Sequence, residues 1–89
     1  MAHPLNPHKI AQTIRSLDSR LLAIELEENN GQPRLVYHYE VAGRIEPFYI
    51  PITTLPVDSI AELYPEALAY EKELFDSYGI EFCSYQDGK

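Results

Sequence analysis

The chain is 89 residues long and carries seven Lys and Arg against fourteen Asp and Glu, a formal net charge of −7. That length holds a single small domain, read as residues 1–89, which buries roughly 60–65% of the surface its unfolded form exposes and gains from docking on a partner. The scattered basic residues argue against nucleic acid or an anionic membrane surface, because phosphate binding needs clustered Lys and Arg. Seven Pro, seven Tyr and three Phe point to a folded chain. A single cysteine, Cys83, excludes an internal disulfide and a Cys-x-x-Cys pair, in keeping with a reducing compartment. The opening "MAHPLNPHKI" has neither the charged nor the apolar region of a signal peptide. No apolar run reaches the ~20 residues that cross a bilayer. A soluble chain is expected, with any membrane link made through another protein.

"LNPHKIAQTIRSLDS" predicts a first helix, capped by Asn6 and with Pro7 at the first helical position, where no backbone N–H is needed. Ile10, Ile14 and Leu17 recur at helical spacing as its apolar stripe. In "RLLAIELEE", Leu22, Ile24 and Leu26 alternate against Ala23, Glu25 and Glu27, the period of a half-buried strand. "NNGQP" is a turn. "RLVYHYEVAG" alternates again, with Leu35, Tyr37, Tyr39 and Val41 on one face and Val36, His38 and Glu40 on the other. "AGR" reverses the chain into "IEPFYIPI", where Phe48, Ile50 and Ile52 form the inward set. Pro47 and Pro51 fall on the opposite parity and suit an edge strand or a bulge.

"TTLPVDS" reads as a loop, and Ser59 with Glu62 has the spacing of a capping box, enough for one turn. Pro65 opens the main helix, 65–78, and Gly79 ends it in the left-handed conformation. "IEFCSY" allows a short last strand. The fold class is α+β: a small antiparallel sheet, a three-stranded meander with room for a short fourth strand, packed with an N-terminal and a C-terminal helix.

Most candidate chemistry reads as ordinary structure. His3 and His8 lie in or near a terminal segment expected to fray, and His38 shares a strand face with Glu40. No pair has metal-ligand spacing. Cys83 lacks a local basic setting that would lower its pKa. The helix at 65–78 stands apart. At ~100° per residue, Ala67, Leu68, Tyr70, Leu74, Phe75 and Tyr78 share one arc, and Glu71 falls inside it. A carboxylate there costs several kcal/mol if unpaired, so it needs a cationic or N–H partner. Arg44, Arg34, Arg20 and His38 are the internal cation candidates, with a cation from another subunit or a wet position as the alternatives. Glu73 and Asp76, with Glu66 nearby, form an acidic outer face that is either solvated or a docking surface for a basic partner.

"YEKELFDSYGIEF" resembles the signature of a family of NADH-quinone oxidoreductase (respiratory complex I) proteins, the C-type subunits of its hydrophilic arm. That pattern has an aromatic residue, Glu-Arg-Glu, two residues, Asp, two residues, Gly-Ile and a following Phe. Tyr70, Glu71, Lys72, Glu73, Asp76, Gly79, Ile80 and Phe82 stand at its positions. "DSIAELYPEALAY" and "LVYHY" are also similar to the family, so the likeness covers roughly residues 20–82. Lys72 replaces the family's Arg, which keeps the charge and loses the bidentate fork. The family continues with Gly-His-Pro and a basic segment, where this chain reads "CSYQDGK". That difference suggests a short version, as in energy-converting membrane-bound [NiFe] hydrogenases or formate hydrogenlyase-like complexes.

The resemblance implies a non-catalytic structural and assembly subunit that carries no cofactor of its own. Its partners would be a large subunit, of the quinone-site or [NiFe] type, and an iron–sulfur small subunit, at the cytoplasmic face of the cell membrane. Tyr70, Glu71, Lys72, Glu73, Asp76, Gly79, Ile80 and Phe82 would hold the fold or the docking surface. Two other classes remain open from the residues: a free-standing acidic interaction domain, and a small enzyme using Glu71 with His38.

Overall fold

The computed structural model describes residues 6–52 and 55–84. Helix α1 spans Pro7–Arg15. The Asn6 side chain accepts from the His8 and Lys9 amides at 2.8 and 3.1 Å, satisfying two of the N–H groups that a helix start leaves unpaired. The buried side of α1 is Pro7, His8, Ala11 and Ile14. Ile10 is only half-buried, and Leu17 lies past the helix end, exposed, so the expected stripe is rotated toward the small Ala11. His8 is 3% exposed inside α1, with Nε2 3.3 Å from a Glu62 carboxylate oxygen, and so does not sit in a frayed end. His3 lies outside the described residues.

Three strands follow: β1 (Ser19–Asn29), β2 (Gln32–Val41) and β3 (Arg44–Pro51), an antiparallel sheet in the order β1-β2-β3. Both hairpins close through two residues of positive φ, Asn30-Gly31 and Ala42-Gly43. That backbone matches the twist of the strands it joins. In β2, Leu35, Tyr37 and Tyr39 are buried on one face, as the alternation requires. In β3, Ile50 is buried and Phe48 half-buried on the same side, and Ile52, just past the strand end, packs half-buried against the same core. Pro47 and Pro51 are exposed on an edge strand, where their missing N–H groups interrupt no ladder.

Strand β1 departs from simple alternation. A bulge between Leu21 and Ala23 makes Leu22 the extra residue, so the buried pair is Leu21 and Ile24. The outer face of the meander carries side-chain pairs between neighbouring strands: Arg20 with Glu40, Arg34 with Glu27, and His38 with Glu25. The Arg34 guanidinium also lies over the Tyr49 ring, 4.4 Å from its centroid.

After the meander, β4 (Val57–Asp58) pairs in parallel with β5 (Phe82–Cys83) as a separate two-stranded sheet. The stretch read as a loop therefore contains a strand, and the short last strand pairs with it rather than with the meander. Between them the chain makes a turn at 61–63, with the Leu63 and Tyr64 amides donating to the Ile60 carbonyl, and then helix α2 (Ala67–Tyr78). Pro65 belongs to the preceding turn, its carbonyl accepting from Leu68 at 3.2 Å, so α2 starts two residues later than expected. Both helices pack against β1. The core joins the inner face of the sheet to Ile60, Tyr64, Ala67, Leu74 and Ile80. Tyr39 sits at its centre, edge-on to Phe48 and Tyr64 at 5.7 and 5.3 Å, a favoured arrangement for ring quadrupoles.

Candidate functional site

The inner face of α2 is Ala67, Glu71 and Leu74, with Tyr70 half-buried beside them. Glu71 is 4% exposed. Its carboxylate accepts from the Ser59 hydroxyl at 2.7 Å and from the Ile60 amide at 3.0 Å. Ser59 Oγ in turn accepts from the Ala61 amide at 3.1 Å. The reason for a carboxylate at this point is local. Ile60 has no exposed surface, and its N–H lies between β4 and the turn, where no strand partner reaches it. A buried donor left unpaired is costly, and Glu71 supplies the acceptor from across the core.

None of the four internal cation candidates meets Glu71. Arg20, Arg34 and His38 pair with glutamates on the far side of the sheet, and Arg44 is exposed at the start of β3. The partners are a hydroxyl and a backbone amide. Ser59 does cap the turn at 61–63, but the box is not closed by Glu62, whose carboxylate reaches His8 instead. Burial pushes the Glu71 carboxyl above its ordinary value, and the bonds from Ser59 and Ile60 pull against that rise. Burial, and then the negative charge of Glu71, pushes up the Tyr37 phenol, which lies in the same core. Glu71 and His38 cannot act together. His38 points away from the face that Tyr37 and Tyr39 present to α2, and the sheet separates the two groups.

The rest of the motif divides between core, cap and surface. Gly79 has φ +74 and ends α2, donating its N–H to the Phe75 carbonyl at 2.8 Å. Ile80 is buried directly after it, and Phe82 packs half-buried against the core. Lys72 and Asp76 form an exposed pair one turn apart at 2.9 Å, and Glu73 is exposed. Glu66, read only as part of the acidic face, also accepts from the Leu21 amide at 3.3 Å and ties the start of α2 to the bulge in β1. Ser59 and Glu66 are contributors that the motif alone does not mark.

The apolar arc expected to face the core does so only in part. Leu68, Phe75 and Tyr78 are 64%, 51% and 63% exposed. Beside them runs a groove of about 530 Å³, with Leu68, Phe75 and Phe82 as apolar walls, Glu71 lining it, and Glu81 and Cys83 opposite the helix. Among the described residues, no group of three or more His, Cys, Asp or Glu is placed to hold a metal ion. No helix among the described residues is long and apolar enough to cross a membrane.

These features define an α+β domain in which the one buried carboxylate among the described residues joins its own helix to its own turn, and which turns an apolar helix face outward. The family model for the respiratory-chain NADH dehydrogenase 30 Kd subunit matches residues 4–88, nearly the whole chain. The chain belongs to that family, whose members are subunits of NADH dehydrogenase-type, multisubunit oxidoreductase complexes. Comparison with curated proteins and with solved structures found no significant match.

Proposed function

We propose that this chain is a non-catalytic structural and assembly subunit, docking on the large subunit of its complex while electrons pass through neighbouring subunits. The observation that carries this reading is the state of Glu71. The one buried carboxylate of the family motif has both its bonds inside the chain, to Ser59 and Ile60. A catalytic carboxylate needs a second functional group beside it, and the nearest candidate from the sequence, His38, lies across the sheet. The role of Glu71 and Gly79 in this reading is to hold the fold, and that of Lys72, Glu73 and Asp76 is to shape its surface. The partners are the large subunit, of the quinone-site or the [NiFe] type, and an iron–sulfur small subunit, assembled peripherally at the inner face of the cell membrane.

Affinity purification of the chain at native expression, followed by mass spectrometry of what accompanies it, tests the reading. The expected result is a large subunit and an iron–sulfur subunit in fixed proportion, whose identity also separates the quinone from the [NiFe] type. A chain recovered alone from membranes that hold an active complex overturns it in favour of a free-standing acidic interaction domain. Turnover of quinone or hydrogen by the isolated chain overturns its non-catalytic assignment.

A further inference from the structure

We infer that the docking surface is the outer face of α2 with the groove beside it, and that it receives an apolar segment of the large subunit flanked by Lys or Arg. This rests on the proposed assembly role and adds to it the site and the chemistry of the partner. Leu68, Phe75 and Tyr78 stand two turns and then one turn apart along α2, and all three are more than half exposed. Repeats of that spacing are how a helix presents one continuous apolar strip to a partner. Leu68 and Phe75 also wall the groove, so the strip opens onto a concavity rather than a flat surface.

The border of this strip is acidic. The charged residues lining the groove are Glu71, Lys72 and Glu81, and the Lys72 ammonium is already held by the Asp76 carboxylate one turn along α2, so carboxylates are in excess there. A second copy of the chain would bring the same carboxylates against one another, in a molecule whose formal charge is already −7. A surface presenting Lys or Arg around apolar side chains complements both parts of the patch, and complementary charge sets orientation and partner choice. A second apolar groove among the described residues lies between α1 and the sheet at Val41, Glu46 and Phe48. It has Lys9 and Glu46 at its border, so its charge favours neither sign.

Cys83 lines the α2 groove and is the only cysteine in the chain, which makes it a built-in reporter of occupancy. Alkylation by N-ethylmaleimide, read by mass spectrometry of the Cys83 peptide, is compared between the free chain and the purified complex. Occupancy predicts protection of about tenfold or more in the complex, because thiol reactivity follows access. Leu68→Glu and Phe75→Glu, at exposed positions, should keep the far-ultraviolet circular dichroism of the free chain and lower its affinity for the complex about tenfold or more. Glu81→Lys should weaken assembly in the same direction, and Leu17→Glu, at the other groove, should leave it unchanged. If the wild-type chain enters the complex but Cys83 reacts as fast there as in the free chain, this inference fails while the assembly role stands. It also fails if Leu17→Glu releases the chain and the two α2 variants do not. A wild-type chain that enters no complex removes the assembly role itself.

Discussion

Replacing Glu71 separates the two accounts of a carboxylate on an inward helix face: an acceptor for buried donors, or one half of an ion pair. In Glu71→Ala, the Ile60 N–H loses its acceptor at a residue with no exposed surface, a cost of about 1–3 kcal/mol. The Ser59 bond adds about 1 kcal/mol, since that half-buried hydroxyl can turn to water. Removing the buried side-chain methylene adds about 0.8 kcal/mol. Against these, the variant no longer holds a carboxylate out of water without a cation, which returns about 1–2 kcal/mol. The expected net loss is about 2 kcal/mol, or about 8–16 °C in Tm for a domain this size. Glu71→Gln keeps the shape, accepts from Ile60 and donates to Ser59 Oγ, and has no charge to bury. It should stay within about 1 kcal/mol of wild type. Urea unfolding followed by circular dichroism, with equal slopes for the three proteins, measures both values. A loss below about 0.5 kcal/mol for Ala would show that Glu71 does not hold the turn. Equal losses for Gln and Ala would show that the charge itself is what the fold needs, and would sink the acceptor account.

Four other measurements bear on the same structure. The folded state raises the Glu71 carboxyl above its ordinary 4.5, so it binds that proton more tightly than the unfolded chain does. Its contribution is then fullest below about pH 4.5 and is lost as the pH rises through the folded value, so the stability gap between wild type and Glu71→Gln should move against wild type over that rise; movement in the other direction would reveal an ion pair. Ala42 holds φ +52 in the second hairpin turn, where the first has Asn30 at +55; Ala42→Asn should gain about 0.5–1 kcal/mol in the same urea assay, and a loss would mean the turn is not strained. Gly79→Ala should cost about 1–2 kcal/mol through φ +74 alone, because an added Cβ meets nothing within 4 Å. The Tyr37 hydroxyl is buried with no hydrogen-bond partner among the described residues, so Tyr37→Phe should be neutral or stabilising by up to about 1 kcal/mol, and a loss beyond that in thermal melts would expose a partner the hydroxyl does have.

Strands β2 and β3 were legible in the sequence because their pairing runs without a bulge and keeps the inward set in phase, although Val36 on the outer face of β2 is buried as well. Leu35, Tyr37 and Tyr39 face the core and the two prolines of β3 mark an edge. Strand β1 was legible as a strand but not in phase. In "RLLAIE" the adjacent Leu21 and Leu22 fit either parity, and a bulge consumes one of them. A bond at the bulge, from the Leu21 amide to the Glu66 carboxylate, comes from 45 positions along the chain. The first helix shifted for a related reason. Ala11 and His8 are buried because neighbouring elements close over them, and neither residue signals that by its own hydropathy.

The C-terminal helix shows where a sequence pattern stops carrying information. Its apolar residues cover more of the helix than the face that packs on the core. Periodicity placed Glu71 among them correctly, yet it could not say which apolar neighbours go inward and which outward. A charged residue prompts a search for a cation, and the donors here are a serine hydroxyl and a backbone amide 11 to 12 positions upstream. Backbone donors are the same for every residue type except proline, so no sequence pattern marks them. With the inner face committed to Glu71, Leu74 and Ala67, the strip of Leu68, Phe75 and Tyr78 is left outside. Under the proposed assembly role, the stretch 67–82 therefore joins two kinds of requirement in one short segment. Glu71 bonds to Ser59 and Ile60, Gly79 ends the helix at φ +74 and Ile80 is buried, so their replacement should register in the free chain. Leu68 and Phe75 contribute little to that fold, so their replacement should register only when the partner is present.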